Sequence, residues 1–393
     1  MSAGLVVLTL SMLLGIQPVT TDLYLPALPG LAKDLAAPMS QTHLTLTALL
    51  LSFGLSQLLW GPLSDRFGRK PILLCGLATY TLASIGAAQS ASMEVLVTWR
   101  ILQGAAMGAA VMGARAIVRD LYAPAQGATV MSKGLSGLAV IACISAPLGG
   151  LLTAHFSWHI ALLALAVFGA LAFTLVAWRF EETLTTPKRD ALHPAALVKT
   201  WWQIVRNPVF LAFSCLSVTS YAGLFTFLAA SSFVFIQVLG LSTTEYGLCV
   251  LLNSMVYLCG TILCRRLVAR LGVRRTVAVA ACLSLSAAIG LLALRFAGFN
   301  TVWAIMGPMV FFMLGHGVHQ PCSQSGAVGP FPQAAGTASA LNGFLMMFAV
   351  FFMGRWLGGH MDGTAAPLIH GIAVWCLLIA GCAWTLVRRY APT

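Results

Sequence analysis

Charged side chains are scarce in this sequence. Of its 393 residues, 8% are Asp, Glu, Lys or Arg, whereas 59% are hydrophobic. Soluble domains carry roughly 25% charged residues, so this composition cannot supply the water-exposed surface of a soluble protein of this length. The sequence therefore excludes a string of soluble domains and indicates a chain whose surface mostly faces lipid.

Acidic residues are the scarcer sign of charge, with 10 Asp and Glu against 22 Lys and Arg. In a soluble protein an excess of +12 would suggest nucleic acid. Here the cations stand in short segments between apolar runs, without interleaved aromatic residues that could stack on bases. We therefore interpret the excess as the positive-inside signal of a membrane protein and expect no nucleic-acid partner.

Several chemical motifs are also missing. The ten cysteines form no C-x-x-C pair and mostly lie in apolar runs, which predicts buried thiols rather than a disulfide framework. G-x-S-x-G, H-E-x-x-H and the phosphate-binding P-loop are absent. The sequence thus predicts no enzyme and no cofactor, and it leaves an ion gradient as the energy source. A membrane-embedded enzyme that uses His316, His319 and Cys322 is a rival interpretation, although no fourth metal ligand is in view.

Twelve apolar stretches are long enough to cross a bilayer core, which needs ~20 residues in a helix. They lie near 4–24, 42–63, 71–90, 94–118, 127–153, 158–179, 208–231, 245–264, 275–296, 301–325, 336–358 and 368–388. We predict an all-α membrane protein with a six-helix bundle over 1–180, a cytoplasmic central loop over 181–206 and a second bundle over 207–393. Basic loops on one side place both termini in the cytoplasm.

The two predicted bundles share a basic segment in the same position. Residues 63–70 read LSDRFGRK after the second stretch, and residues 267–274 read LVARLGVR after the eighth. Both carry an Arg, a Gly and a further cation in the same register. Such a repeat indicates two pseudo-symmetric halves, an architecture typical of transporters that bind their substrate between the halves.

Five segments carry a resemblance to a known family. Residues 61–71 read GPLSDRFGRKP and match the G-x-L-S-D-R-x-G-R-K signature of the major facilitator superfamily. Residues 21–29 (TDLYLPALP), 115–122 (RAIVRDLY) and 330–341 (PFPQAAGTASAL) resemble the Bcr/CflA branch of that superfamily, named for resistance to bicyclomycin and chloramphenicol. In the fifth helix, residues 145–150 (SAPLGG) resemble the family's antiport motif with Ala before the proline; a bend at Pro147 and Gly150 is implied.

The resemblance implies the major facilitator fold and proton-coupled efflux of small amphipathic drugs by alternating access. It implies a multi-pass protein of a bacterial inner membrane, and we expect it to act as a monomer whose partners are a small substrate, protons and lipid. The alternatives left open are a carrier of a natural solute such as a nucleoside, purine or amino acid, with import as one of its directions, and a passive channel.

Asp22 and Arg100 are the strongest candidates for proton coupling. Asp22 is the one acidic residue in the first stretch, and Arg100 begins RILQG, which resembles the family's fourth-helix motif. Ionisable residues inside a membrane usually serve function, and we expect Arg100 to pair with Asp22 in one state and to release it in another. The alternatives are an interfacial carboxylate and a snorkelling arginine.

Polar and aromatic residues at helix depth complete the prediction. We expect the substrate cavity to be lined by Tyr24, Gln57, Arg115, Tyr221, Asn253, His319, Gln320 and Asn342. A conformational latch is expected from Gly61, Asp65, Arg66, Gly68, Arg69 and Asp120. In this hypothesis Arg69 pairs with Asp120, and Asp65 approaches the N-terminus of the eleventh helix, where the helix dipole favours an anion. The alternative is a basic loop that only sets topology.

Overall fold

The computed structural model describes residues 2–122, 124–184 and 194–390. Within these ranges almost every residue is helical, and no strand occurs. The helices are α1 Ala3–Asp22, α2 Leu28–Asp34, α3 Met39–Phe67, α4 Arg69–Ala88, α5 Met93–Leu121, α6 Pro124–His155, α7 Trp158–Arg179, α8 Pro194–Val205, α9 Pro208–Phe233, α10 Thr243–Phe296, α11 Val302–Val328, α12 Ala335–His360, α13 Ala366–Cys382 and α14 Arg388–Tyr390.

The described residues contain 11 helical segments that are long and apolar enough to span a membrane. One of them, α10, has 54 residues and would be ~80 Å long if it were straight, far more than a bilayer core of ~30 Å. Gly272 interrupts it with a positive φ of 73°. Since α10 therefore consists of two spanning helices, the structure has the twelve predicted spans.

The chain divides into two compact units, Met1–Thr200 and Trp201–Thr393. In the N-terminal unit α1 packs on α6, α5 lies between α3 and α4, and α4 also contacts α7. In the C-terminal unit α9 packs on α11, α12 and α13, while α10 packs on α11 and α13. Helices α1 and α6 are the first and fifth spans of the N-terminal unit, and α9 and α12 are the first and fifth spans of the C-terminal unit. The same two spans therefore pack together in both units.

The repeated basic segment has the same backbone bend in both units. Gly68 separates α3 from α4 with a φ of 101°, and Gly272 interrupts α10 with a φ of 73°. An L side chain is strained in this region of φ, so glycine is required at both bends. The two segments therefore reverse the chain in the same way, in the register that the sequence indicates.

Two helices lie outside the predicted spans. Helix α2 extends the first apolar stretch beyond Pro26, and α8 occupies part of the segment 181–206 that the sequence presents as a loop. Helix α8 was not predicted as a span because it is amphipathic and has only 12 residues, too few to cross a bilayer core. Residues 185–193 of the predicted loop lie outside the described ranges.

Candidate functional site

Asp22 lies at a break in the first membrane span. The span runs from Ala3 to Asp34, but α1 ends at Asp22 and a 3₁₀ turn at Leu25–Ala27 precedes α2. Pro26 and Pro29, which lack a backbone N–H, follow the break. Asp22 is thus twelve residues from the end of its span, and discontinuous helices of this kind form ion and substrate sites in transporters.

The surroundings of Asp22 come from α1 itself and from α6. Thr21 Oγ1 donates a hydrogen bond to Asp22 Oδ1 at 2.8 Å, and the side chain of Asp22 is partly accessible. Helix α6 approaches so closely that a Cβ on Gly149 would overlap the backbone carbonyl of Leu23. Only glycine permits this contact, and it fixes α6 beside the break.

Asp22 and Arg100 are not paired in this structure, so their pairing in another state of the carrier stays a prediction. Arg100 is fully buried, and its guanidinium lies 3.6 Å from the centre of the Tyr24 ring. Among the described residues, Arg100 forms no ion pair, and Nε and Nη2 have no hydrogen-bond partner. The ring of Tyr24, two residues beyond Asp22, occupies the place at which a carboxylate was expected.

Arg100 instead belongs to a hydrogen-bonded chain that links three helices. Arg100 Nη1 donates to Gln103 Oε1 at 2.7 Å, and Gln103 Nε2 donates to Ser84 Oγ at 2.6 Å. Ser84 donates to the carbonyl of Tyr80, whose hydroxyl lies 2.6 Å from Thr20 Oγ1. This chain runs from α5 through α4 to α1 and ends two residues before Asp22.

The predicted ion pair between Arg69 and Asp120 is present where α3, α4 and α5 end or begin. Arg69 Nε lies 2.8 Å from Asp120 Oδ2, and Arg69 Nη1 lies 2.6 Å from both Asp65 Oδ1 and Ser64 Oγ. Arg119, which is 53% exposed, also reaches Asp65 at 3.2 Å. Arg69 is only 1% exposed, so two carboxylates offset a buried guanidinium. Its role as a latch stays a prediction.

A carboxylate that the sequence reasoning missed completes this cluster. Glu182 accepts hydrogen bonds from the backbone N–H groups of Arg69 and Lys70, at 2.9 and 3.0 Å, and from Thr183 and Leu184. Partial burial works against the charge of Glu182, but the four donors outweigh it and hold the pKa below the ordinary value of 4.5. Gly68 has no side chain to cap α4, and Glu182 caps the helix instead.

In the C-terminal unit a buried polar seam joins α9, α11 and α12. Gln320 Nε2 donates to the carbonyl of Ser217 at 3.1 Å, and Asn342 Nδ2 lies 3.3 Å from Ser217 Oγ. One turn away, His316 Nδ1 lies 2.8 Å from Ser220 Oγ. The structure thus brings the predicted residues Gln320 and Asn342 together. It adds serines of α9, which the sequence reasoning had not selected.

The residues of the rival enzyme interpretation do not converge. His319 Nε2 lies 3.4 Å from Ser284 Oγ in the second part of α10, whereas Cys322 Sγ lies 3.6 Å from Cys264 Sγ in the first part, before Gly272. His316 turns towards α9 instead. Within the described ranges no group of three His, Cys, Asp or Glu side chains is placed to hold a metal ion.

The other predicted residues are distributed over several environments. Tyr24 is fully buried, and its hydroxyl lies 2.8 Å from Thr45 Oγ1. Asn253 is buried with Nδ2 at 3.8 Å from Met306 Sδ. The remaining predicted residues are Gln57 and Gly150, which are buried, Gly61, Arg115, Pro147 and Tyr221, which are partly buried, and Arg66, which is exposed.

Comparison with known proteins places this arrangement in a family. The sequence profile of the Major Facilitator Superfamily matches residues 10–354. The chain belongs to the major facilitator superfamily. A bicyclomycin resistance protein homolog of Haemophilus influenzae is 28% identical over 98% of this chain and 96% of its own length. A chloramphenicol resistance protein of Pseudomonas aeruginosa is 29% identical over 91% of this chain and 84% of its own length.

A solved structure supports the fold of this superfamily member. The crystal structure of a D-xylose-proton symporter superposes with a TM-score of 0.75, covers 97% of both chains and is 18% identical. At this identity the likeness concerns the fold alone. Family and fold make the chain a multi-pass membrane transporter rather than an enzyme, and it is similar over most of its length to proteins named for resistance to bicyclomycin and chloramphenicol.

The features that sequence reasoning missed share one property. Gln103, Tyr80, Ser84 and Glu182 are polar residues that act through partners on other helices. Gln103 stands in the RILQG motif, three residues after Arg100 and hence on the same helix face, so its spacing was an available signal. No local pattern connects Glu182 with α4, which begins 113 residues earlier in the chain.

Proposed function

We propose that this chain exports small amphipathic compounds, of the kind represented by amphenicols and bicyclomycin, in exchange for protons. Its relatives are named for resistance to such compounds. In this proposal the chain works as a monomer in a bacterial inner membrane, with both termini in the cytoplasm. A proton gradient supplies the energy, and no cofactor takes part.

The observation that carries the proposal is the placement of Asp22. It is the one acidic side chain of the described residues that lies well inside a membrane span; the others stand near helix ends or in connections. A carboxylate without a cationic partner is costly in a medium of low dielectric constant, and a bound proton removes its charge. Asp22 can therefore carry one proton per cycle at the break beside Gly149.

Arg100 is suited to pair with Asp22 in one state of the carrier and not in the other. Its guanidinium is buried, stacks on Tyr24 and leaves two nitrogen atoms without hydrogen-bond partners among the described residues. A buried cation in this condition gains from any carboxylate that reaches it. We infer that a rearrangement of the break between α1 and α2 moves Tyr24 aside and lets Asp22 pair with Arg100 after it has lost its proton.

The Arg69 cluster is proposed as the element that distinguishes the two access states. It concentrates Asp65, Arg69, Arg119 and Asp120 at one end of α3 and α5. Such short ion pairs have discrete arrangements rather than a continuous range, which suits a transition between two states. The cluster would be intact when the carrier faces outward and would break when it opens inward.

The C-terminal seam suggests the kind of substrate. His316 is flanked by Phe312 and Tyr257, with ring centroids 5.9 and 5.4 Å away, and Asn342 Oδ1 has no hydrogen-bond partner among the described residues. No charged side chain belongs to the seam. Aromatic walls with a few fixed polar groups suit amphipathic ligands that are neutral or cationic.

The decisive experiment measures uphill transport by proteoliposomes under an imposed proton gradient. A thermal-shift screen against antibiotics and metabolites first supplies a ligand. We expect Asp22→Asn to retain ligand binding but to lose accumulation down to the level without a gradient, because the amide cannot exchange a proton. Glu94→Gln, an exposed carboxylate at the start of α5, is the matched control and should accumulate normally.

Two results would contradict the proposal. Full accumulation by Asp22→Asn would remove Asp22 from coupling, and uphill transport that survives an uncoupler would exclude proton drive. The direction is tested separately in cells with and without the gene. Greater tolerance of the drug with the gene supports export, whereas greater uptake of a natural solute supports the alternative importer.

A further inference from the structure

Helix α8 has an exposed face that is unusual for a connection in water. Val198 and Trp202 are each 58% exposed and stand four residues apart, hence on one side of the helix. Ile204, on the other side, is 1% exposed. An exposed tryptophan beside an exposed valine is unfavourable in water, so this face points to a surrounding other than bulk solvent.

The exposed face combines an apolar edge with a cationic one. At 100° per residue, the exposed positions 198, 199, 202, 203 and 206 cover an arc of about 140°. Val198 and Trp202 form one side of this arc, and Lys199 and Arg206 form the other. No acidic residue occurs between 197 and 206. The guanidinium of Arg206 lies 4.3 Å from the centre of the Trp202 ring, which orients both groups outward together.

The position of α8 fixes its distance from the bilayer. Two residues, Arg206 and Asn207, separate its last residue from Pro208, the first residue of the spanning helix α9. Trp202 is three residues before the end of α8, about 5 Å along the helix, and the three steps from there to Pro208 span at most about 11 Å, so Trp202 lies close to the start of the span. Tryptophan is enriched at this depth of a membrane, and Trp178, near the end of α7, is likewise exposed.

We propose that α8 lies on the membrane surface, with Val198 and Trp202 among the upper acyl chains and with Lys199 and Arg206 bound to anionic phospholipid headgroups. Helices with an apolar edge, an aromatic residue and adjacent cations adopt this position. The guanidinium donates two parallel hydrogen bonds to a phosphate. Because α8 stands in the segment that links the two units, anionic lipid would anchor that link to the bilayer.

Hydrogen exchange of the full chain in nanodiscs tests the proposal. The amides of residues 197–206 are compared in phosphatidylcholine and in bilayers with about one third phosphatidylglycerol. If these amides exchange only when α8 leaves the membrane surface, their exchange should be at least about 5-fold slower with the anionic lipid. This factor corresponds to the attraction of one Lys or Arg side chain to a negatively charged membrane surface. Trp202→Glu and Arg206→Glu should each abolish most of this difference.

The control is Trp303→Glu, which changes an exposed tryptophan at the start of α11 and should leave the exchange of α8 as in the parent chain. Exchange of α5 must stay unchanged in every variant, which shows that the N-terminal unit is folded. Equal exchange of α8 in both bilayers would overturn the proposal. Protection that persists in detergent and in Trp202→Glu would also overturn it, since α8 would then pack on protein.

Discussion

The Arg69 cluster permits a quantitative prediction because its ion pairs differ in burial. Replacement of Asp120 by Asn keeps the size of the side chain but removes the charge 2.8 Å from Arg69 Nε. Loss of one partner from a buried ion pair costs about 3–5 kcal/mol. Asp120 is 13% exposed, and Asp65 still contacts Arg69, so we expect a smaller loss of about 2 kcal/mol in the free energy of unfolding.

Thermal unfolding in detergent micelles measures this loss. About 1 kcal/mol corresponds to ~2–4 °C in Tm for a unit of roughly 200 residues, so Asp120→Asn should lower Tm by about 4–8 °C. Arg119→Gln is the matched control in the same cluster. Arg119 is 53% exposed and lies 3.2 Å from Asp65, and exposed pairs contribute about 0–1 kcal/mol.

The reasoning is refuted by either of two results. If Asp120→Asn unfolds at the temperature of the parent chain, the buried guanidinium does not depend on that carboxylate. If Arg119→Gln loses as much as Asp120→Asn, burial does not decide the strength of these pairs. Transport rates of the same variants then test the latch, which predicts an altered rate for Asp120→Asn even at temperatures far below Tm.

Two further predictions concern close contacts at the ends of helices. Glu182→Gln should lower Tm at pH 7. Because folding lowers the pKa of Glu182, its contribution to the free energy of unfolding is present above pH 4.5 and is lost as the pH falls through the folded-state pKa. The Tm values of the variant and the parent chain should therefore converge in acid. Gly149→Ala should lower the free energy of unfolding by about 1–3 kcal/mol and impair transport, because the added Cβ would overlap the Leu23 carbonyl. The control is Gly381→Ala, where no atom lies within 4 Å of the added Cβ, and it should change neither stability nor transport. Equal effects of the two substitutions would contradict the close approach of α6.

The twelve spans were predictable because hydropathy is a local property and bilayer thickness fixes the length of a span. The pairing of Arg69 with Asp120 was predictable as well, since both belong to motifs at the same end of neighbouring helices. The helix α8 was not predictable in this way. Its 12 residues are too few for a span, and its amphipathic pattern lies in a segment rich in charge.

The partner that Arg100 has in this structure was not predictable for a different reason. Spacing along α5 fixes the depth and the face of Arg100, and it fixed Gln103 on the same face. Whether Asp22 or Tyr24 meets the guanidinium depends on how the chain turns after α1, because residues two apart point in different directions. A rotation of that turn would exchange the two side chains, and the sequence contains no local signal for it.

The amino-acid sequence by itself therefore determined the class of molecule, the number of spans, the superfamily and the position of each ionisable residue along its span. The tertiary structure alone decided which groups meet: Arg100 with Tyr24, Glu182 with the first residues of α4, and Gln320 with the backbone of α9. The physical reason is that depth follows from the position within one helix, whereas a contact depends on the rotation and spacing of two helices, which the packing of the whole unit sets.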